Sequence, residues 1–200
     1  MTSQRLIYTW LCLLMLVGCS AVSVVEPTRY ALNGMSEKKL AKYSSSHVVF
    51  VSDLKASSAY TSSDMIYTKK SLIINAFANN EWVASPAKML RSVLVASLQN
   101  TGYFKGVLSS AMPVKARFQV NATVLRLRQS FQTMPSTVNL TLKMDVIDTV
   151  RGNVIASKRF SENKTAKLDS PYGGVLAAND ASKALMLRIA NFIVTVCRSA

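Results

Sequence analysis

Few side chains in this 200-residue chain could carry chemistry, and their types and spacing narrow the choices quickly. There is a single histidine, His47, and there are only ten acidic residues and three cysteines. Histidine acid/base or metal chemistry needs partners that this inventory hardly supplies, so His47 reads as a strand-edge residue. No catalytic residue, metal ligand or cofactor is expected. Gly173-Gly174 precedes a helical pattern, but no Lys-Ser/Thr follows it to cradle a phosphate, and it reads as a flexible helix entry. The cysteines differ in setting. Cys12 lies inside an apolar run from Leu6 to Val17, Cys19 closes that run after Gly18, and Cys197 stands alone near the C-terminus, where it reads as a small buried residue. With Arg5 in front and small residues behind, the run has the anatomy of a secretory signal. It is shorter than the roughly 20 apolar residues of a spanning helix.

Leu16-Val17-Gly18-Cys19 resembles the bacterial lipobox. In proteins with that motif the cysteine is acylated and cleavage falls just before it. The resemblance implies a lipoprotein signal peptide over residues 1–18, with Leu16 and Gly18 as the cleavage flank, and a palmitate-type lipid anchor on Cys19. A tether over 19–28 and a single domain over 29–200 would follow. The alternative is an ordinary signal peptide, or a short anchor helix, that happens to hold a cysteine. Several acyl chains would hold a protein on a membrane for good, because each buried methylene contributes about 0.8 kcal/mol. Ser20, rather than Asp, follows the cysteine, which in such lipoproteins goes with sorting to the outer membrane.

The formal net charge is +14. Such a balance favours an anionic partner or surface, unless the charge serves solubility alone. For an exported protein the candidates are lipid head groups, an acidic protein and nucleic acid. The last fits worst, because basic residues are not interleaved with aromatics and no recognition motif is present. Lys69 and Lys70 at a hairpin turn, and Arg126 and Arg128 on one face of a strand, are the candidate anionic-partner contacts. A solvated face is the plain alternative for each. With Cys12 cleaved and Cys19 acylated, no disulfide framework remains, so the core must supply the stability.

The elements that would position these residues alternate between strand and helix patterns. Arg29 to Leu32 reads as a short strand followed by an Asn33-Gly34 turn. Lys38 to Ser46 reads as loop, His47 to Leu54 as a β-branched strand and 55–63 as a surface loop. Met65–Thr68 and Ser71–Phe77 read as a hairpin. Ser85-Pro86 opens a helix over about Pro86 to Asn100, with apolar residues at Met89, Leu90, Val93, Leu94 and Leu98. Asn100-Thr101-Gly102 ends it. Phe104–Ser109 reads as a strand that Met112-Pro113 breaks. The long strand Ala116–Phe131 changes its apolar phase near Val124-Leu125, which requires a bulge. Val138–Val146 and Val154–Phe160 complete an antiparallel meander, and a second helix runs from about Val175 to Val196. The expected architecture is α+β, a mixed or antiparallel sheet of about five or six strands with two helices packed on one face.

Met65-Ile66-Tyr67, Leu72, Phe77, Glu81-Trp82-Val83 and Pro86, followed by Leu90, Leu94 and Leu98, resemble the ABC-type transport auxiliary lipoproteins, the family of the paraquat-inducible protein C type lipoprotein. Arg29-Tyr30-Ala31-Leu32 resembles that family's opening strand, whereas Tyr60 and Asp64 depart from its Y-L-D segment because three residues separate them. Trp82, beside the helix start, reads as a core anchor. The resemblance implies a non-enzymatic outer-membrane lipoprotein, facing the periplasm, that docks an MCE-domain protein of an inner-membrane ABC lipid-transport system and serves membrane integrity. Homo-oligomerisation stays open. Two rival functions are a lipid- or lipopolysaccharide-binding assembly lipoprotein, which would need an apolar groove between helix and sheet, and a lipoprotein regulator of a cell-wall enzyme.

Overall fold

The computed structural model describes residues 25–42, 44–110 and 115–200. The signal segment, Leu16, Gly18, Cys19, most of the tether and Met112-Pro113 lie outside the described residues. The fold is α+β, with a curled mixed sheet and two helices on one face. The strands are β1 (Thr28–Tyr30), β2 (Val48–Val51), β3 (Lys55–Ala56), β4 (Asp64–Thr68), β5 (Asn75–Trp82), β6 (Gly106–Leu108), β7 (Phe118–Ser130), β8 (Thr137–Asp148) and β9 (Asn153–Thr165). The helices are α1 (Pro86–Asn100) and α2 (Pro171–Ser199).

The strand β7 is the axis of the sheet. One edge pairs antiparallel with β8 along its whole length, and β9 completes the meander. The other edge is shared in turn by β2 at Phe118–Val120, β3 at Thr123-Val124 and β4 at Gln129-Ser130, all parallel to β7. These three strands form one interrupted partner that leaves the edge and returns twice. The excursion at 57–63, expected as a plain surface loop, holds a 3-10 turn over Ser58–Tyr60 whose Tyr60 is buried. At one end β5 and β1 extend the sheet beyond β4; at the other, β6 extends it beyond β2.

The phase change in β7 is resolved as expected, by a register shift between Val124 and Arg126. The bulge keeps Leu127 and Gln129 on the buried face after Phe118, Val120, Ala122 and Val124. Leu90, Leu94 and Leu98 of α1 and Leu185, Met186, Ile189 and Ile193 of α2 pack against this face and against Leu140, Leu142 and Met144 of β8. Each fully buried aliphatic side chain of this kind contributes about 1.5–3 kcal/mol. Cys197 and Trp82 are buried in the same core.

Helix α1 has the expected bounds, with Pro86 in its first turn and Gly102 at φ +65° just beyond its end. Ser85 stands at the N-cap position but makes no capping hydrogen bond. Helix α2 starts earlier than its apolar stripe suggests, because the Ser170 hydroxyl accepts the Gly173 N–H at 3.1 Å and caps it. Gly173 and Gly174 therefore lie inside the first helical turn, and they are not a flexible entry. A Cβ on Gly173 would stand 2.8 Å from the Leu168 carbonyl carbon, and one on Gly174 would stand 2.6 Å from Cδ of Gln129. Both glycines are there for close packing. The stretch after β1 straps across both helices. Asn179 of α2 accepts the N–H groups of Asn33 and Gly34, while Leu40 and Ala41 donate to the Thr101 carbonyl at the end of α1.

Candidate functional site

The basic residues singled out from the sequence fall on two separate surfaces. Lys69 and Lys70 occupy the turn between β4 and β5, and both are exposed. Arg126 and Arg128 lie on β7 on the face that no helix covers, Arg126 exposed and Arg128 half-buried. Register sets Arg126 opposite Thr141 and Arg128 opposite Asn139.

The uncovered face is polar and hydrogen-bonded across its strands. Asn139 donates to Ser161 Oγ at 3.2 Å and to Asn163 Oδ1 at 2.6 Å, and Thr141 Oγ1 lies 2.9 Å from Ser161 Oγ. Beside this ladder a shallow depression of about 330 Å³ is lined by Ser57, Leu125, Arg126, Thr141, Arg159 and Ser161. Arg159 pairs across the strands with Lys143, so three cationic groups share this part of the face. Lys143 is joined to Asp145 at 3.1 Å, and neither arginine has an ion-pair partner among the described residues. Two guanidinium groups beside three hydroxyls suit a carboxylate or phosphate, because the planar fork donates in pairs. Reading the sequence missed Arg159. Its place in the returning strand Val154–Phe160 was visible, but its pairing with Lys143 depends on a register that only the folded meander supplies.

The second surface is the end of the sheet where the β4–β5 turn, the β7–β8 turn, the loop after β9 and the start of α2 all gather. Here the hairpin differs from expectation. The strand read over Ser71–Phe77 begins only at Asn75, opposite Tyr67, and runs on to Trp82. Ser71 to Ile74 instead form an exposed apolar turn in which Leu72 takes φ +67° and is 98% exposed. The cause is local: Thr68 Oγ1 lies 2.6 Å from the carbonyl oxygens of both Lys70 and Ile73, and the Ile73 N–H donates to the Lys70 carbonyl. The hydroxyl proton shared between those two carbonyls and the Ile73 N–H close the turn where a ladder would otherwise continue. Beneath it Tyr67, Phe77 and Phe131 make an aromatic cluster with centroids 4.4–6.3 Å apart.

His47 precedes β2 and stacks edge-on against Phe118, 5.5 Å between ring centres. Burial pushes the Cys197 thiol up to about 12, which leaves it unreactive at neutral pH. Asp148 is buried at the far end of β8, where the N–H groups of Arg151 and Val150 and the Arg117 guanidinium hold its carboxyl below the usual range, against the opposing effect of burial. Among the described residues no three of His, Cys, Asp and Glu converge as a metal site would require. The gap between sheet and α2 beside Trp82 and Gly174 has about 10 Å³ of free volume, the size of one water and far too small for an acyl chain. No described helix is long and apolar enough to cross a membrane.

No family model matches the sequence, and no curated protein matches it. Solved structures do share the fold. A Xanthomonas campestris protein, XCC0632, described by the family model DUF330, superposes with a TM-score of 0.78 at 13% identity, over 86% of this chain and 98% of its own. An uncharacterised protein gives 0.66 at 16% identity, over 84% and 99%. The hypothetical protein CT253 from Chlamydia trachomatis gives 0.51 at 10% identity, over 77% and 99%. At these identities the likeness is one of architecture.

Proposed function

We propose that the protein is an outer-membrane lipoprotein, held at the periplasmic face through Cys19, that serves as a non-enzymatic docking component of an ABC/MCE-type intermembrane lipid-transport system. The carrying observation is the lipobox-like Leu16-Val17-Gly18-Cys19, which lies a few residues ahead of a single domain whose interior is filled. The hairpin-and-helix pattern around Trp82 and Pro86 supports the transport assignment. The gap beside Trp82 and Gly174, between sheet and α2, is too small for an acyl chain, and the cleft of about 470 Å³ between α1 and the sheet is lined by Asp53, Thr61, Ser85, Lys88, Arg91 and Ser92 as well as apolar groups, which favours docking over carriage of a lipid. The acyl chains fix one end, and the uncovered face with Arg126, Arg128 and Arg159 captures an acidic surface of the MCE-domain partner.

The test is site-specific photo-crosslinking in cells from position 126 and from Asn139, with identification of the captured protein. An MCE-domain protein is the expected product. Capture of peptidoglycan synthases instead would sink the transport reading. Replacing Cys19 by Ala should move the protein out of the outer-membrane fraction, and unchanged retention there removes the anchor.

A further inference from the structure

At the end of the sheet bearing Lys69 and Lys70, side chains that are usually buried are presented to solvent. Leu72, Ile73 and Ile74 on the β4–β5 turn, Met134 on the neighbouring β7–β8 turn and Leu168 on the loop before α2 are all exposed. Exposed lysines Lys69, Lys70 and Lys167 stand among them. The acids of this end are Glu26, exposed near the N-terminal segment, and Asp169, which is occupied in accepting the Ser136 N–H. The opposite end of the meander is also basic, and among the described residues its large exposed apolar side chains are Val150 and Val154. Exposed apolar residues accompanied by lysines at one end of the sheet are the composition of a surface that lies in a membrane interface. The Thr68 hydroxyl proton, shared between the Lys70 and Ile73 carbonyls, and the Ile73 N–H on the Lys70 carbonyl hold the turn in shape with Leu72 outward.

The path of the N-terminal segment points to the same end. Strand β1 runs parallel to β5, with Thr28 opposite Asn80, so the residues before Thr28 head toward the level of Asn75 and the turn. From Asn80 to Asn75 is about 17 Å along the strand. The nine residues from Thr28 back to Cys19 can span about 30 Å when extended. Nine residues are thus long enough for a lipid anchor at Cys19 to lie beyond the tip, on the side where the patch lies.

We infer that this tip is a second membrane contact: Leu72, Ile73, Ile74 and Met134 insert into the interface of an anionic phospholipid bilayer while Lys69, Lys70 and Lys167 meet its phosphates. The inference rests on the anchor reading for its geometry. The acyl chains hold the protein at the surface, and the tip sets its orientation, standing the sheet upright with the Arg126 face turned sideways for a partner.

The test places a polarity-sensitive fluorophore on the acylated protein at Leu72→Cys, or at Val150→Cys as the far-end control, in phosphatidylglycerol vesicles carrying a bilayer-embedded quencher. Both positions are exposed, 98% and 75%, so the substitutions leave the core intact, and buried Cys197 does not take the label. Quenching and a blue shift at 72, with neither at 150, are expected. Lys69→Gln with Lys70→Gln should shift the tip toward water by about 25-fold, since each surface lysine contributes about fivefold near an anionic leaflet. Flotation with the vesicles reads the anchor separately. Protein that floats without quenching at 72 overturns the tip contact alone. A chain without acyl mass that is still quenched at 72 overturns the anchor alone, and one that neither floats nor quenches overturns both. A blue shift at 72 that needs high protein concentration and no lipid assigns the patch to a second copy and overturns the inference.

Discussion

Gly174→Ala separates two opposed expectations for one substitution. If Gly174 were a loose helix entry, alanine would stabilise the protein by about 0.4–1 kcal/mol by restricting the unfolded chain. The structure predicts the reverse. The added methyl carbon would lie 2.6 Å from Gln129 Cδ and would overlap Oε1, where carbon contacts are normally about 3.5–4.0 Å. Gln129 must then retreat by about 1 Å. Its amide nitrogen now donates to Ser136 Oγ at 2.9 Å and to the Ser170 carbonyl at 3.2 Å, tying the β7–β8 turn to the cap of α2. Losing two neutral hydrogen bonds costs about 1–3 kcal/mol. The better helix propensity of alanine returns at most about 1 kcal/mol. A net loss of about 1–2 kcal/mol lowers the midpoint of a domain this size by roughly 2–8 °C. Thermal and urea melts followed by circular dichroism measure it. Gln129→Ala in the Gly174→Ala background should couple favourably, because the methyl then has space. A stabilised single variant, or strict additivity in the double, refutes the packing argument.

Asn179→Ala should destabilise by about 1–3 kcal/mol in a urea melt, because the N–H groups of Asn33 and Gly34, exposed and half-buried, lose their common acceptor at 2.8 and 2.9 Å. Acid should unfold the protein in part through Asp148, Asp145 and Asp169, whose folded carboxyls are held below the ordinary range by hydrogen bonds from the Arg151 N–H, the Ser157 hydroxyl and the Ser136 N–H respectively. A depressed folded value means that the stabilisation is complete above the unfolded value of about 3.9 and is lost as pH falls through the folded values. Urea midpoints between neutral pH and pH 2.5 should therefore drop, and Asp148→Asn should flatten part of that slope. A thiol reagent should leave Cys197 untouched in the native protein at pH 7 and label it in urea; rapid native labelling would contradict its burial.

Parts of the candidate surfaces were legible from residue order and parts were not. Arg126 and Arg128 could be assigned to an outward face because alternation and the phase change at Val124 demand a bulge there, and the register shift provides it. Arg159 could not be joined to them, since cross-strand neighbours depend on pairing between residues far apart in the chain. The apolar tip was read as strand because Leu72, Ile73 and Ile74 are strand-forming types. A local turn, closed by the Thr68 hydroxyl proton shared between the Lys70 and Ile73 carbonyls and by the Ile73 N–H on the Lys70 carbonyl, outweighs that propensity.

By itself the sequence determined whatever depends on neighbours along the chain: the lipobox-like end of the apolar run, the bounds of α1, the alternation of the meander, the α+β class and the scarcity of reactive groups. Tertiary structure alone decided how three short strands share one edge of β7, why two glycines must open α2, and which charges stand together. Those outcomes arise from close packing and register, in which a methyl group or a one-residue shift changes the answer and no local preference encodes it.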